Sequence, residues 1–124
     1  MRRVAEIALL INAALETVAG TAFLLGRDPL ARESPLLASL VAACFYAGVF
    51  MMVFVSKRLR RDAALIWLPL VYVVTHLTDS VYRFAVTGNA MHLGPAFFEA
   101  SFLAIYASFA VTSRRFRGAS PIGG

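Results

Sequence analysis

Charge is scarce in this sequence, and cysteine is almost absent. Asp, Glu, Lys and Arg make up 15% of the 124 residues, hydrophobic residues make up 60%, and the mean hydropathy is positive. A soluble domain is about half apolar and about a quarter charged, so an ordinary soluble fold is not expected. The one cysteine, Cys44, has no partner for an intramolecular disulfide, and neither a Cys-x-x-Cys pair nor a Cys/His metal spacing occurs. No metal site is expected from local spacing. Set among apolar residues, Cys44 is expected to be a small buried hydrophobe. No basic stripe with interleaved aromatics runs through the chain, so the net charge of +5 does not point to nucleic acid. Internal repeats are also missing.

What remains is four apolar segments, about Val4 to Leu25, Pro35 to Val55, Ala63 to Val86 and Pro95 to Ser113. Each is long enough to cross a hydrocarbon core of about 30 Å. The expectation is an all-α polytopic membrane protein: four transmembrane helices in one compact bundle over residues 1–117, then a flexible cytoplasmic tail at 118–124. Met1-Arg-Arg followed by an apolar run imitates a signal peptide. The run spans about 22 residues and lacks a clear cleavage site, so it is read as an uncleaved first span.

Ser34 before Pro35 reads as an N-cap with proline at the first helical position. Trp67 takes the place of an interfacial aromatic, and Pro69 is expected to bend the third helix near its start. Ser39, Ala43 and Ala47 form one small-residue ridge, and Ala100, Ala104, Ser108 and Thr112 a second; such ridges let helices approach closely. Phe45, Phe50, Phe54, Phe97, Phe98, Phe102 and Phe109 are expected to face lipid or packing, not a cofactor. The residues identify no cofactor.

Positive charge orients the spans. Both termini and the middle loop, Ser56-Lys-Arg-Leu-Arg-Arg-Asp62, are rich in Lys and Arg. In the first loop Arg27, Asp28, Arg32 and Glu33 cancel, and the third loop carries no full charge. The positive-inside rule then places the chain in the cell (inner) membrane with both termini cytoplasmic.

One stretch of the third segment breaks the apolar pattern. Tyr72, His76, Asp79 and Arg83 are spaced i, i+4, i+7 and i+11, which stacks them on one helical face. An ionisable group within a span costs roughly 2.5–3.5 kcal/mol unless paired or hydrated, so these residues need partners. Counting about 1.5 Å per residue from the outer helix ends puts Glu16 roughly 14 Å deep, His76 to Arg83 about 5–15 Å deep and Glu99 about 6 Å deep. All five therefore share the outer half of the membrane. Asp79 and Arg83 form a favourable i, i+4 pair. Glu99 matches Arg83 in depth and is expected to share its guanidinium, and Glu16 matches His76. Two Glu and one Asp against one Arg leave a formal −2, a deficit that hints at proton or cation chemistry. Glu16, His76 and Asp79 are the candidate catalytic residues. Tyr72, Arg83, Glu99 and Asn12 are the candidate ligand contacts, and His92 is read as a solvated turn residue.

Three functional readings are open at this point. The first is an outward-facing polar pocket for a small amphipathic or lipidic ligand, with acid/base chemistry on it as a further step. The second is a non-enzymatic accessory subunit of a larger membrane complex, or a homo-oligomer, docked through the small-residue ridges. The third is a proton-coupled exporter of small cationic compounds.

With four spans, Leu15-Glu-Thr-Val-Ala-Gly20, Tyr46-Ala-Gly48 and Glu99, the chain resembles the DoxX-like group of small bacterial membrane proteins. That resemblance implies a four-helix membrane fold and, for some members, quinone- or thiol-dependent redox systems; the single cysteine does not support thiol chemistry here. Placing His and carboxylates inside a bundle is also similar to sterol-isomerase-type membrane folds. Glu16 followed by Gly20-Thr21 resembles small multidrug exporters, from which the His/Asp/Arg cluster departs.

Overall fold

The computed structural model describes residues 1–28 and 32–118, with side chains to Arg115. Its elements are helices α1 (Arg2–Leu24), α2 (Pro35–Arg58), α3 (Trp67–Thr87) and α4 (Leu93–Gly118). Short 3-10 turns, Ala63–Ile66 and Ala90–His92, lead into α3 and α4. Four helical stretches, Arg2–Leu24, Pro35–Arg58, Ala63–Thr87 and Ala90–Arg115, are long and apolar enough to cross a membrane.

Local chemistry places the helix ends. The Ser34 hydroxyl accepts from the Leu37 amide at 3.3 Å, with Pro35 at the first helical position where no amide is needed. Asp62 and Asn89 cap the two 3-10 turns in the same way, accepting from Ala64 and Met91 at 3.0 Å each. α3 stops at Gly88, whose φ of +64° is a left-handed cap that suits glycine. Within the spans, hydroxyls of Thr17, Thr21, Thr75, Thr78, Ser101 and Thr112 donate to the carbonyl four residues back. Their polarity is thereby satisfied without water, as an apolar surrounding demands.

Helix ends fall zero to five residues from the sequence expectation, with the start of α2 at Pro35 as expected. α1 starts at Arg2, two residues before Val4; α2 runs to Arg58 and α4 from Leu93 to Gly118, past Ser113. Hydropathy marks the stretch that suits lipid, whereas hydrogen bonding marks the helix, and basic flanks stay helical while their charges reach outward. Pro69 falls in the first turn of α3, after the 3-10 turn, and so interrupts no established helix. Gly118 ends the described chain inside α4, and residues 119–124 of the expected tail lie outside the described residues.

Packing is asymmetric. α1 lies mainly on α2, and α3 mainly on α4, so the bundle is two helical hairpins set together. At the end holding both termini, the hairpins share a continuous core of Leu9, Met52, Val55, Ile66, Val73, Phe102, Tyr106 and Phe109. Ala5, Ala8, Ala13 and Gly20 give α1 a buried small-residue stripe, α2 buries Ala38 and Ala42, and Gly48 of α2 lies against the Tyr72 ring of α3. The two ridges expected from sequence lie elsewhere: Ser39, Ala43 and Ala47 are exposed, as are Ala100, Ala104 and Ser108. α2 is apolar on every side, so small residues at fourfold spacing occur on two faces, and the buried one is the Ala38 face. Outward-facing Phe50, Val71, Val86 and Phe97 are each more than half exposed, a surface suited to lipid.

Candidate functional site

Away from the shared core the hairpins part, and between them lies a cavity of about 520 Å³. Small-molecule pockets fall in the range of roughly 300–1,000 Å³, so its size suits a ligand. Its mouth is at the end carrying the first and third turns, where Asp28, His92 and Pro95 contribute. Its walls are largely apolar: Phe23, Phe45 and Val41 on one hairpin, Phe98 and Phe102 on the other. Phe23 and Phe45 stack at 5.6 Å between centroids, and Phe45 reaches His76 at 5.5 Å, so one wall is a continuous ring surface.

The floor is polar. Asn12, one turn before Glu16 on α1, donates from Nδ2 to the Tyr106 hydroxyl at 3.2 Å; both residues are almost fully buried. The Tyr72 hydroxyl donates to Glu16 Oε2 at 3.0 Å, and its ring lies on His76 with centroids 4.3 Å apart. Glu99 projects from α4 to the same point. Its Oε2 is buried and has no hydrogen-bond partner among the described residues. Ligating atoms of Glu16, His76 and Glu99 all lie within 4.8 Å of one another.

Most of the residues named from sequence do meet. Asn12, Glu16, His76, Asp79, Arg83 and Glu99 all line the cavity. Tyr72 instead acts from behind, fixing Glu16. Asp79 and Arg83 are joined by a 2.8 Å bond from Arg83 Nε to Asp79 Oδ2, and both side chains are about half exposed. Asp79 therefore holds Arg83 at the rim, and no bond from Asp79 to His76 occurs among the described residues.

The expected pairing of Glu99 with Arg83 is absent. Equal depth was the warrant for it, but Arg83 turns to its own helix while Glu99 turns inward to Glu16. Among the described residues the ion pairs are Arg2–Glu6 at 3.5 Å and Arg83–Asp79, so no Lys or Arg neutralises Glu16 or Glu99.

Cys44 is exposed on α2 and borders the cavity, contrary to the buried role expected for it. An apolar neighbourhood in sequence fails to distinguish burial in protein from exposure to lipid. His92 is half-buried and also lines the mouth, so it is more than a solvated turn residue. Tyr106 was missed altogether. Its spacing from Glu99 was the available signal: Glu99, Phe102, Tyr106 and Phe109 follow a three–four–three rhythm that marks one helical face. Compared with known protein families, curated proteins and solved structures, the chain finds no match.

Proposed function

We propose that the protein spans the inner membrane four times, with both termini cytoplasmic. In support, nine of the twelve Lys and Arg residues flank the end that holds the termini and the α2–α3 turn, as the positive-inside rule requires. A fluorescent protein fused after Gly124 is expected to fluoresce, and alkaline phosphatase inserted at Glu33 to be active. The reverse pattern would overturn this orientation.

Within that frame the cavity is a binding site for a small amphipathic or lipidic ligand. The observation that carries this reading is a ligand-sized space with ring-lined walls and a floor of hydrogen-bond acceptors, opening at the end away from the termini. Carboxylate oxygens of Glu16 and Glu99 accept hydrogen bonds, so the complementary head group donates them: an amine or a hydroxyl. The apolar body of such a ligand would lie against Phe45 and Phe98, with Arg83 and Asp79 at the opening. Glu16 and His76 are the groups placed to take or give a proton at the head.

Binding is tested on purified protein in detergent, with a chelator present, using a pyrene-tagged long-chain amine and the matching alcohol. Saturable binding is expected. Ala19→Phe, which fills the cavity wall, is expected to weaken it at least tenfold, about 1.4 kcal/mol. Ala104→Phe, on the outward face of α4, is expected to leave it unchanged. Equal binding by both variants would sink the pocket.

Exposure of the two small-residue ridges favours one second reading, docking onto another membrane protein through Ser39, Ala43 and Ala47 or through Ala100, Ala104 and Ser108. A clean monomer by mass spectrometry from mild detergent would remove it.

A further inference from the structure

The floor of the cavity brings two acidic side chains together with no Lys or Arg paired to either among the described residues. Glu16 and Glu99 are 4% and 8% exposed, face each other from α1 and α4, and have no cationic partner among the described residues. Glu99 Oε2 is buried with no hydrogen-bond donor among the described residues, although a buried polar oxygen ordinarily has at least one. The His76 imidazole adjoins both, and the three groups bring ligating atoms within 4.8 Å of one another.

We propose that Glu16, His76 and Glu99 form a three-ligand site for a divalent first-row transition-metal ion, such as Zn²⁺, at the deep end of the cavity. Charge is the first argument, because two carboxylates and one dication sum to zero in a setting where uncompensated charge is costly. The donor set is the second. Two carboxylate oxygens with one imidazole nitrogen suit Zn²⁺, Mn²⁺ or Fe²⁺; a soft thiolate site or an all-oxygen Ca²⁺ site would need other donors.

Geometry is the third argument. Ligands held at about 2.1 Å in a tetrahedron stand about 3.4 Å apart, so closing the present separations is a matter of side-chain rotation. The Tyr72 hydroxyl already orients the Glu16 carboxylate, the supporting role that outer partners play around metal ligands. Three protein ligands would leave a coordination position free, and all three side chains line the cavity. That is the pattern of a site that binds water or a ligand, unlike a closed structural site.

The inference goes beyond the ligand pocket and does not depend on it. Metal is titrated with no organic ligand present, and the pyrene probes are tested with metal chelated, so either reading can fail alone. The full-length protein, stripped with chelator in detergent, is titrated with Zn²⁺ in competition with a chromophoric chelator. One equivalent per chain is expected. Glu16→Gln, Glu99→Gln and His76→Ala are each expected to weaken binding at least tenfold, while Glu6→Gln binds as the unaltered protein does. The unaltered protein is also expected to melt at a higher temperature with Zn²⁺, and its Co²⁺ adduct to show visible bands of nitrogen and oxygen ligation. Failure to bind one equivalent would overturn the site, as would unchanged binding in both glutamine variants. A sulfur-to-cobalt charge-transfer band would also overturn this donor set, because it would bring in Cys44. The measurements on the unaltered chain decide the question even if a variant does not fold.

Discussion

The Tyr106→Ala variant is expected to lose about 2–3 kcal/mol of unfolding free energy. Tyr106 is fully buried where the shared core meets the cavity floor, stacked beside Phe102 at 6.1 Å and accepting from Asn12. Deleting a buried aromatic side chain in a water-soluble protein costs about 3–5 kcal/mol, as lost transfer from water plus the hole left behind. In the proposed membrane setting lipid tails are as apolar as the ring, so much of the transfer part would fall away and the hole with its lost contacts would remain.

Tyr106→Phe keeps the ring and deletes only the acceptor of the Asn12 amide. Hydrogen bonds between membrane helices average about 0.6 kcal/mol and reach about 1.7, so this variant is expected to be much milder. Titration of the folded protein with SDS, read by steric trapping, measures both. If Phe costs as much as Ala, then the polar bond and not the packing holds this layer together.

Much of the architecture was legible because four long apolar runs in so short a chain leave few options. Each is long and apolar enough to cross a membrane, where a lone segment satisfies its backbone as a helix. Ser34-Pro35, Asp62 and Gly88 then mark where those helices start or stop. Packing faces were less legible. α1 carries Asn12, Glu16 and Gly20, so its inward face can be read from polarity and small size. α2 has no such marker within its apolar run, and the choice between the Ala38 and Ser39 faces was made by Tyr46, Phe45 and Gly48 meeting α1 and α3. Those contacts depend on tertiary fit, which periodicity does not encode.

The site was legible in membership more than in connection. Cost selected Glu16, His76, Asp79, Arg83 and Glu99, since ionisable groups in a span need a reason to be there. Depth then brought them to one half of the bundle. Depth alone could not say which way each side chain turns, and there the pairing failed: Arg83 satisfies Asp79 on its own helix, leaving Glu99 to face Glu16. The proposed metal-ligand set is invisible to local spacing for a related reason. Local spacing finds ligands that share a helix or loop, whereas Glu16, His76 and Glu99 come from three helices and are separated by dozens of residues.

The second large effect is expected at Gly48, which touches neither the cavity nor a ligand. A Cβ there would fall 2.5 Å from Tyr72 Cζ and 2.8 Å from Cε2, inside the ring's van der Waals surface. The ring has little freedom to retreat, because it lies on His76 and its hydroxyl is bonded to Glu16. Gly48→Val is therefore expected to cost about 2–3 kcal/mol through overpacking. Gly48→Ala is the finer probe, since two effects of opposite sign meet in it. Alanine is favoured over glycine in a helix by about 1 kcal/mol, yet its methyl group cannot be placed without moving Tyr72. The clash is expected to win in the native background, giving a net loss of stability.

Removing the ring reverses that sign: in a Tyr72→Ala background, Gly48→Ala is expected to stabilise, because only the helix preference is left. Tyr72→Phe is not expected to rescue, since the ring carbons overlap as well as the hydroxyl. The double-mutant cycle thus separates steric conflict from the lost bond to Glu16. A loss that persisted without the ring would mean that α2 and α3 are closer in their backbones than these contacts imply. A reversal would establish that the absence of one side chain on α2 positions Tyr72, and through it Glu16.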